Sequence, residues 1–477
     1  MKLFIEGENR NQSLLFPEVL DEYITEENSV RVIDAFIDEL NLTELGFNLV
    51  PAETGRPAFH PTVMLKLYVY GYLNRIQSSR RLERETHRNV ELMWLTGRLT
   101  PDHKTIANFR KDNGPSIVKV CREFIVLCRH LNLFTQAVVA IDGSKFEGVN
   151  SRSNNFTRSK LKYRMERLEK SLKHYFSLLD KKDQDESSFN DENAIKIKDK
   201  IASLKKRMIE LKDLERRLLK MPDKQISLTD PDIRSMISNS IIKAVVGYNV
   251  QTAVDTTHHL IVSHEVTTKG SDRSQLENIA KQARSDMAVK NLTVLADRGY
   301  FNGEQILACE QAGITTYIPK SETSNAKAHG RFDRKDFHYK VSADEYQCPA
   351  GERLPKRMTT LEKGRTLHRY WSSNCKGCHL KAQCTPSKER RVTRWEHEAV
   401  LEAVEKRLNQ NPDAMTIRKS TVEHPYGTIK SWMGSSHFLM KGLKNVSTEM
   451  SLHVLAYNLK RVMNIMGIKP LLAVIKS

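Results

Sequence analysis

The 477-residue sequence has no run of 18 or more apolar residues, so it predicts no membrane-spanning helix. Its start, MKLFIEGENRNQ, has no apolar core of the kind a secretory signal needs. That absence points to the cytoplasm. Acid is scarce relative to base: 58 Asp and Glu stand against 76 Lys and Arg, a formal net charge of +18. With a pI near 9.4, such an excess fits a polyanionic partner, most simply nucleic acid, although the same charge also serves solubility. Cysteine is sparse, and seven thiols cannot all pair. In a reducing compartment they are not expected to pair at all. Apolar residues make up 39% of the chain, enough for a core, which excludes wholesale disorder. The length suggests about three units.

Residues 1–132 read as a helical head. VRVIDAFIDEL (30–40), PTVMLKLYVYGYL (61–73) and IVKVCREFIVLCRHL (117–131) carry apolar residues at helical spacing. Between the last two, residues 75–111 hold nine Lys or Arg against four Asp or Glu. Ser78 or Ser79 suits one helix start, Asp102 another, and Gly97 a helix end. Short helices carrying Arg80, Arg81, Arg84 and Arg88 resemble a helix-turn-helix reader of DNA, or else an ordinary helical unit with a solvated basic face.

Residues 133–477 read as a mixed α/β unit with two insertions. AVVAI (137–141) is a buried strand with Asp142 at its exit. Residues 158–222 carry two heptad-like apolar stripes, from Leu161 to Leu179 and from Ile197 to Leu218. These predict a helical hairpin that packs on itself. Strands follow at 244–254 and 259–267 around a turn at Asp255. A helix at 274–287 starting at a Ser cap, a strand at 291–296 ending at Asp297, a helix at 303–313 and a strand at 314–319 complete an α/β sheet of mixed direction. Residues 320–394 are basic and read as loop-rich: 321–394 hold 17 Lys or Arg against 8 Asp or Glu. The tail returns to helix at 396–408, 422–433 and 451–466.

Asp142 and Asp297 each follow an apolar strand, and the carboxyl ends of strands are where sites gather in open α/β sheets. Carboxylates from distant segments suit hard divalent cations, and a pair of such ions can clamp both oxygens of a phosphoryl displacement. Several rivals exist. Asp255 reads better as a hairpin turn, and Asp272 as a cap or turn with an accessory role open. Glu396, Glu398 and Glu449 lie on helix-like segments.

IRKSTVEHPYGTIKSWMG (417–434) resembles the Glu-bearing segment of DDE transposases of bacterial insertion sequences, whose pattern is Tyr-x2-Arg-x3-Glu-x6-Lys. Glu423 and Lys430 match it. Lys419 stands where Arg is usual, with Arg418 beside it, and Thr416 stands where Tyr is usual. AVVAIDGSKF and VLADRGYF resemble the two Asp motifs, and FHPTVMLKLYVYGYLNRIQSSRRLERETHRNVELMWLTG is similar to the InsH-type N-terminal domain. The resemblance covers most of the chain and weakens over the hairpin. It implies a ribonuclease H-like catalytic domain at 133–477, with Asp142, Asp297 and Glu423 holding Mg²⁺ or Mn²⁺ for DNA strand cleavage and strand transfer. It also implies double-stranded DNA partners, both terminal inverted repeats and target DNA, and at least a homodimer. The place of action would be the bacterial cytoplasm, on the nucleoid. Lys430, placed on the helical face of Glu423, could reach a DNA phosphate, as could Lys419, Arg418 and Arg298. Pro425 then requires a helix start near Val422 or a kink.

Four cysteines form a second constellation: Cys348-x26-Cys375-x2-Cys378-x5-Cys384. A Cys-x2-Cys knuckle with two further thiolates suits structural Zn²⁺, and a closed four-thiolate site leaves no open position for catalysis. His379 is an alternative ligand. Cys121, Cys128 and Cys309 read as buried or free thiols. Two alternatives to a transposase stay open at this point: a two-metal DNA nuclease without joining activity, and a zinc-containing DNA-binding protein with a decayed site.

Overall fold

A computed structural model describes residues 19–50, 57–184, 191–236, 244–320 and 329–476. Parts of the expected first segment (1–18), hairpin linker (185–190) and second insertion (321–328) lie outside the described residues.

Six helices form the head: α1 (Ser29–Asp38), α2 (Pro61–Leu73), α3 (Ser79–Thr86), α4 (Val90–Thr96), α5 (His103–Asp112) and α6 (Gly114–His130). Local chemistry sets their ends. The Asn28 side chain caps α1 and the Asn89 side chain caps α4. Asp102 accepts from the Lys104 and Thr105 N–H groups to start α5. Gly97 closes α4 at φ 60°, where a side chain would be strained. Helix α2 is buried from Met64 to Leu73, as its all-round apolar sequence requires.

The central sheet contains β1 (Val138–Glu147), β4 (Arg234–Met236), β5 (Val245–Asp255), β6 (Ile261–Thr267), β7 (Leu292–Ala296) and β8 (Ile314–Tyr317). Strands β2 (Asn155–Thr157) and β3 (Gln225–Ser227) form a separate small pair. The order across the main sheet is β6-β5-β1-β7-β8, with β4 continuing the outer edge of β5. β5 runs antiparallel to both of its neighbours, β1 and β6; β7 and β8 run parallel to β1. Helices α9 (Leu276–Asp286) and α10 (Gly303–Gln311) make the crossovers to β7 and β8. Between β2 and β3, α7 (Arg158–Gln184) and α8 (Asp191–Lys220) pair as the expected hairpin. Leu161, Leu211, Leu214 and Leu218 close its base on Phe156 and Ile226.

Three expectations need correction. First, the second insertion is not loop-rich. It is a five-stranded antiparallel sheet of β9 (His338–Lys340), β10 (Glu345–Gln347), β11 (Arg353–Glu362), β12 (Arg365–Tyr370) and β13 (Val392–Trp395), with the short helix α11 (Lys381–Cys384). Phe337, Tyr346, Leu354, Tyr370 and Val392 form its core. One apolar residue per strand suffices for so small a sheet, which is too weak a signal to read as strands. Second, Asp142 is not at the end of its strand, because β1 continues to Glu147 by pairing with β5. Third, the expected Ser cap of α9 belongs to a 3₁₀ turn, Asp272–Ser274, and the helix itself starts at Leu276.

The tail folds back onto the rest. It contains α12 (Glu398–Gln410), α13 (Ala414–Gly427), α14 (Leu443–Met466) and α15 (Ile468–Ile475). α14 is buried along most of its length and packs on α2, α6 and β6. One apolar core therefore runs from the head, through α14, to Tyr248, Val250, Leu260 and Ile261 of the sheet. Each fully buried large side chain contributes roughly 1.5–3 kcal/mol, so the head and the sheet stabilise each other. Among the described residues, no helix is long and apolar enough to cross a membrane.

Candidate active site and DNA-facing surface

Residues alternate across β1. Val139 and Ile141 face the α9 side, whereas Ala140 faces α13. Asp142, two residues beyond Ala140, leaves on the α13 face. In β7 the same alternation puts Leu295 on the α13 face, and Asp297 follows two residues later. The parallel register pairs Ile141 with Ala296, so Asp142 and Asp297 are the next residues on adjacent strands. The end of β7, rather than the end of β1, makes this a carboxyl-end site. Asp297 accepts from the Gly299 N–H at 2.8 Å and so caps the turn Arg298–Tyr300.

Helix α13 lies over this pair. Val422 packs in one cluster with Ala140 and Leu295. Residues 418, 422, 426 and 430 recur every four positions and run along β1. Arg418 Nη2 lies 2.7 Å from Asp142 Oδ1. The Tyr426 hydroxyl sits 2.8 Å from Val250 O and 3.0 Å from Asp142 O, and it accepts from Thr252 Oγ1. Lys430 Nζ donates to Ser144 Oγ at 2.6 Å and to Lys145 O at 2.8 Å. Lys430 is thus on the inner stripe rather than on the exposed face of Glu423. The helix also runs through Pro425 without starting at Val422. It begins at Ala414, and a π-helical turn, Thr428–Trp432, follows the proline.

Burial pushes the Asp142 carboxyl up to about 6; the Arg418 guanidinium and the Gly143 N–H oppose that shift, while Asp297 and Asp272 add to it. Glu423, next to Val422, is exposed, 4.0 Å from Lys419 Nζ. Arg298 is exposed beside Asp297. Tyr300 is buried and donates its hydroxyl to Gln251 Oε1, so it packs inside.

The rival carboxylates have structural work. Asp255 is buried and accepts from the Thr257 and His258 N–H groups of its turn. Glu449 is buried and accepts from the Leu439 and Met440 N–H groups. Glu398 pairs with Arg334 at 2.9 Å, and exposed Glu396 lies 3.8 Å from His397.

Cys348, Cys375, Cys378 and Cys384 line one cavity of about 30 Å³ in the second insertion, and His379 does not border it. Burial raises the Cys384 thiol; Arg390 opposes the shift, and the other three cysteines add to it. Among the described residues, no group of three or more His, Cys, Asp or Glu side chains is arranged, as it stands, to hold a metal ion. The remaining thiols, Cys121, Cys128 and Cys309, are buried and free, as expected.

Arg80, Arg81, Arg84 and Arg88 are exposed on and beside α3; Arg88 pairs with Glu85. In the insertion part of the positive charge is spent on ion pairs, Arg353 with Glu345 and Arg394 with Glu402. The sequence reading missed a large cavity of about 890 Å³ lined by Arg75, Trp432, Lys460 and Lys469. There the half-exposed Trp432 ring has Arg75 Cζ 4.7 Å and Lys460 Nζ 3.0 Å from its centroid. No local pattern signals that cavity, since Arg75 and Trp432 are brought together only by the fold. The inner stripe of α13 was not read from the sequence either, because Lys430 was expected on the face of Glu423 and the fold turns it to β1.

Two family descriptions match the chain: a Transposase domain (DUF772) over residues 18–112 and a Transposase DDE domain over residues 347–463. The second match includes the four clustered cysteines and Glu423, and stops short of Asp142 and Asp297. No curated protein matches the chain. Among solved structures, a chain of the piggyBac transposase synaptic complex with hairpin DNA, determined by cryo-EM, aligns over 94% of this chain and 79% of its own length. The identity is 9% and the TM-score 0.33, too low to carry an argument.

Proposed function

We propose that this chain, which matches a transposase domain over residues 18–112 and a Transposase DDE domain over residues 347–463, is a DDE transposase of the insertion-sequence type that cleaves the ends of its own element and joins them to target DNA at Asp142, Asp297 and Glu423. The observation that supports the reading is the register that sets Asp142, on β1, level with Asp297, just past the end of β7, beneath the helix whose outer face bears Glu423. The strand order β6-β5-β1-β7-β8, three antiparallel and then two parallel, supports a ribonuclease H-like catalytic domain.

The donor set is all carboxylate oxygen, which suits Mg²⁺ or Mn²⁺. Such ions, when bound, would supply an activated water and neutralise charge at the scissile phosphate. The chain's own residues do the rest. β1 and β7 hold the two Asp side chains on one face. Arg418 neutralises Asp142, and Lys430 fixes the strand beyond it. Glu423, exposed on the outer face of α13 beside Lys419, would turn toward the two Asp side chains to complete the set. No covalent protein intermediate is required, because the freed 3′-OH of the element is itself the nucleophile for joining.

The exposed Arg80, Arg81, Arg84 and Arg88 face of the head, with the Arg75–Trp432–Lys460 cavity beside it, would hold double-stranded DNA of the terminal inverted repeats through phosphate contacts. Lys419, Arg298 and the basic insertion would add to that hold. Pairing of two ends calls for at least a dimer on DNA, acting on the bacterial nucleoid in the cytoplasm. The insertion would be closed by Zn²⁺ on Cys348, Cys375, Cys378 and Cys384. Four thiols that border one small cavity support that reading, and they would draw together on binding.

The test uses the purified chain, labelled terminal DNA and Mg²⁺. Parent protein should cut and then join. Asp142→Ala, Asp297→Ala and Glu423→Ala should do neither. Ends that are cut but never joined would make the protein a nuclease, and cleavage unchanged in Asp142→Ala would remove the site assignment.

A further inference from the structure

Asp272 stands in the short turn between β6 and α9. Its Oδ1 accepts from Asn249 Nδ2 at 2.8 Å and from Gln251 Nε2 at 2.7 Å. Both amides are fully buried on β5. The register sets Gln251 opposite Gly143 and Asn249 opposite Lys145. Gly143 directly follows Asp142, and it has no room for a side chain. A Cβ there would lie 2.3 Å from Gln251 Nε2 and 2.6 Å from Asp272 Oδ1. The Asp272 carboxylate is therefore packed against the backbone that carries Asp142.

The same network reaches the second acid. Gln251 uses its Nε2 on Asp272 and its Oε1 to accept from the Tyr300 hydroxyl. Tyr300 belongs to the turn that Asp297 caps. A chain of hydrogen bonds, Asp272 to Gln251 to Tyr300, thus runs from beside Asp142 to the turn beyond Asp297. An amide that donates at one end and accepts at the other can hold only one orientation when both partners are present. Buried networks are rigid where their members are satisfied, and here that holds along the line Asp272–Gln251–Tyr300, whereas Asn249 Oδ1 has no partner among the described residues.

We propose that Asp272 is a positioning residue that fixes the separation of Asp142 and Asp297 for divalent-cation binding, by locking Gln251 between Gly143 and Tyr300. The inference rests on the metal-dependent reading given above. Its effect runs through an acceptor oxygen, not through charge. Asn at 272 can offer the same oxygen to the two amides; Ala cannot, and would leave two buried N–H groups without a partner.

The test measures Mn²⁺ binding by calorimetry without DNA, and the Mg²⁺ requirement for cutting labelled terminal DNA. Asp272→Ala should weaken metal binding and raise the half-saturating metal concentration, each by roughly 10–100-fold, as loss of groups that orient ligands typically does. Cleavage at saturating metal should fall much less. Asp272→Asn should stay close to the parent in both. Tyr300→Phe, which keeps the ring and removes only the far hydroxyl, should shift metal binding in the same direction, and it serves where Asp272→Ala does not fold. Two results overturn the proposal: parent-like metal binding in folded Asp272→Ala or in Tyr300→Phe, or an Asp272→Asn as impaired as the Ala variant. If Asp142→Ala itself leaves cleavage and metal binding unchanged, the active-site assignment has failed instead.

Discussion

Arg418 and Asp142 form an ion pair of 2.7 Å across the gap between α13 and β1, with side chains 14% and 26% exposed. The adjacent Lys419, which occupies the Arg position of the transposase pattern, points away to the exposed Glu423 at 4.0 Å. Side chains one residue apart on a helix are about 100° apart in direction, so only one of the two cations can face the strand. Arg418→Ala leaves a partly buried carboxylate without its partner. It should cost about 1–3 kcal/mol in urea unfolding, and Arg418→Lys should recover only part, because a point charge does not reproduce the guanidinium fork. Lys419→Ala should cost less than about 0.5 kcal/mol, as expected of an exposed pair. A larger loss for Lys419→Ala than for Arg418→Ala would reverse the assignment.

The four-cysteine cavity leads to a metal prediction. Purified protein should carry about one zinc per chain by elemental analysis, as a four-thiolate structural site does. Stripping it with a chelator, or making Cys378→Ser, should lower the Tm, since the insertion's own core is small and metal binding contributes folding energy. Protein that is free of zinc as isolated would count against the site.

His453 predicts the acid limb of stability. Its ring is 1% exposed. Nε2 lies 2.6 Å from Ser435 Oγ, and the ring packs edge-on against Tyr72. Burial, aided by the nearby Arg110, pushes it down to about 3. The unfolded ring takes a proton near 6.5, while the folded one does not. Stability from this residue is therefore complete above about pH 6.5 and falls as pH drops toward 3, by up to about 1.4 kcal/mol per pH unit. Urea midpoints of the parent should fall from pH 7.5 to 5, and His453→Gln should show a flatter limb. Parallel curves would place the acid sensitivity elsewhere.

Gly247 faces the backbone of β1. A Cβ there would lie 1.8 Å from Phe146 O, so Gly247→Ala should break the β1–β5 ladder and cost about 3 kcal/mol or more. Gly377 has nothing within 4 Å of an added Cβ, and Gly377→Ala should leave the Tm almost unchanged. Thermal unfolding of the two variants checks both statements.

Much of the fold was legible because it follows local rules. The strand ending just before Asp297, the start of the strand that carries Asp142, the hairpin stripes and the Asp102 and Gly97 helix boundaries follow from periodicity and capping, and the structure has them. The insertion sheet was not legible. Its strands are polar, and β10, β11, β12 and β13 each give one side chain to its core, Tyr346, Leu354, Tyr370 and Val392, and cross-strand pairing leaves no trace in local pattern. The continuity of the head with the sheet was hidden too, since α14 reaches both only after the chain returns from far away.

The amino-acid sequence by itself determined which carboxylates sit at rigid strand positions, and that four thiols would be grouped, because alternation, turn chemistry and spacing act over a few residues. Only the tertiary structure decided that Arg418 rather than Lys419 meets Asp142, that Lys430 turns inward to β1, and that Asp272 lies against Gly143. Those choices depend on the parallel register of β1 with β7 and on the seating of α13 across them, which are contacts between segments more than 100 residues apart.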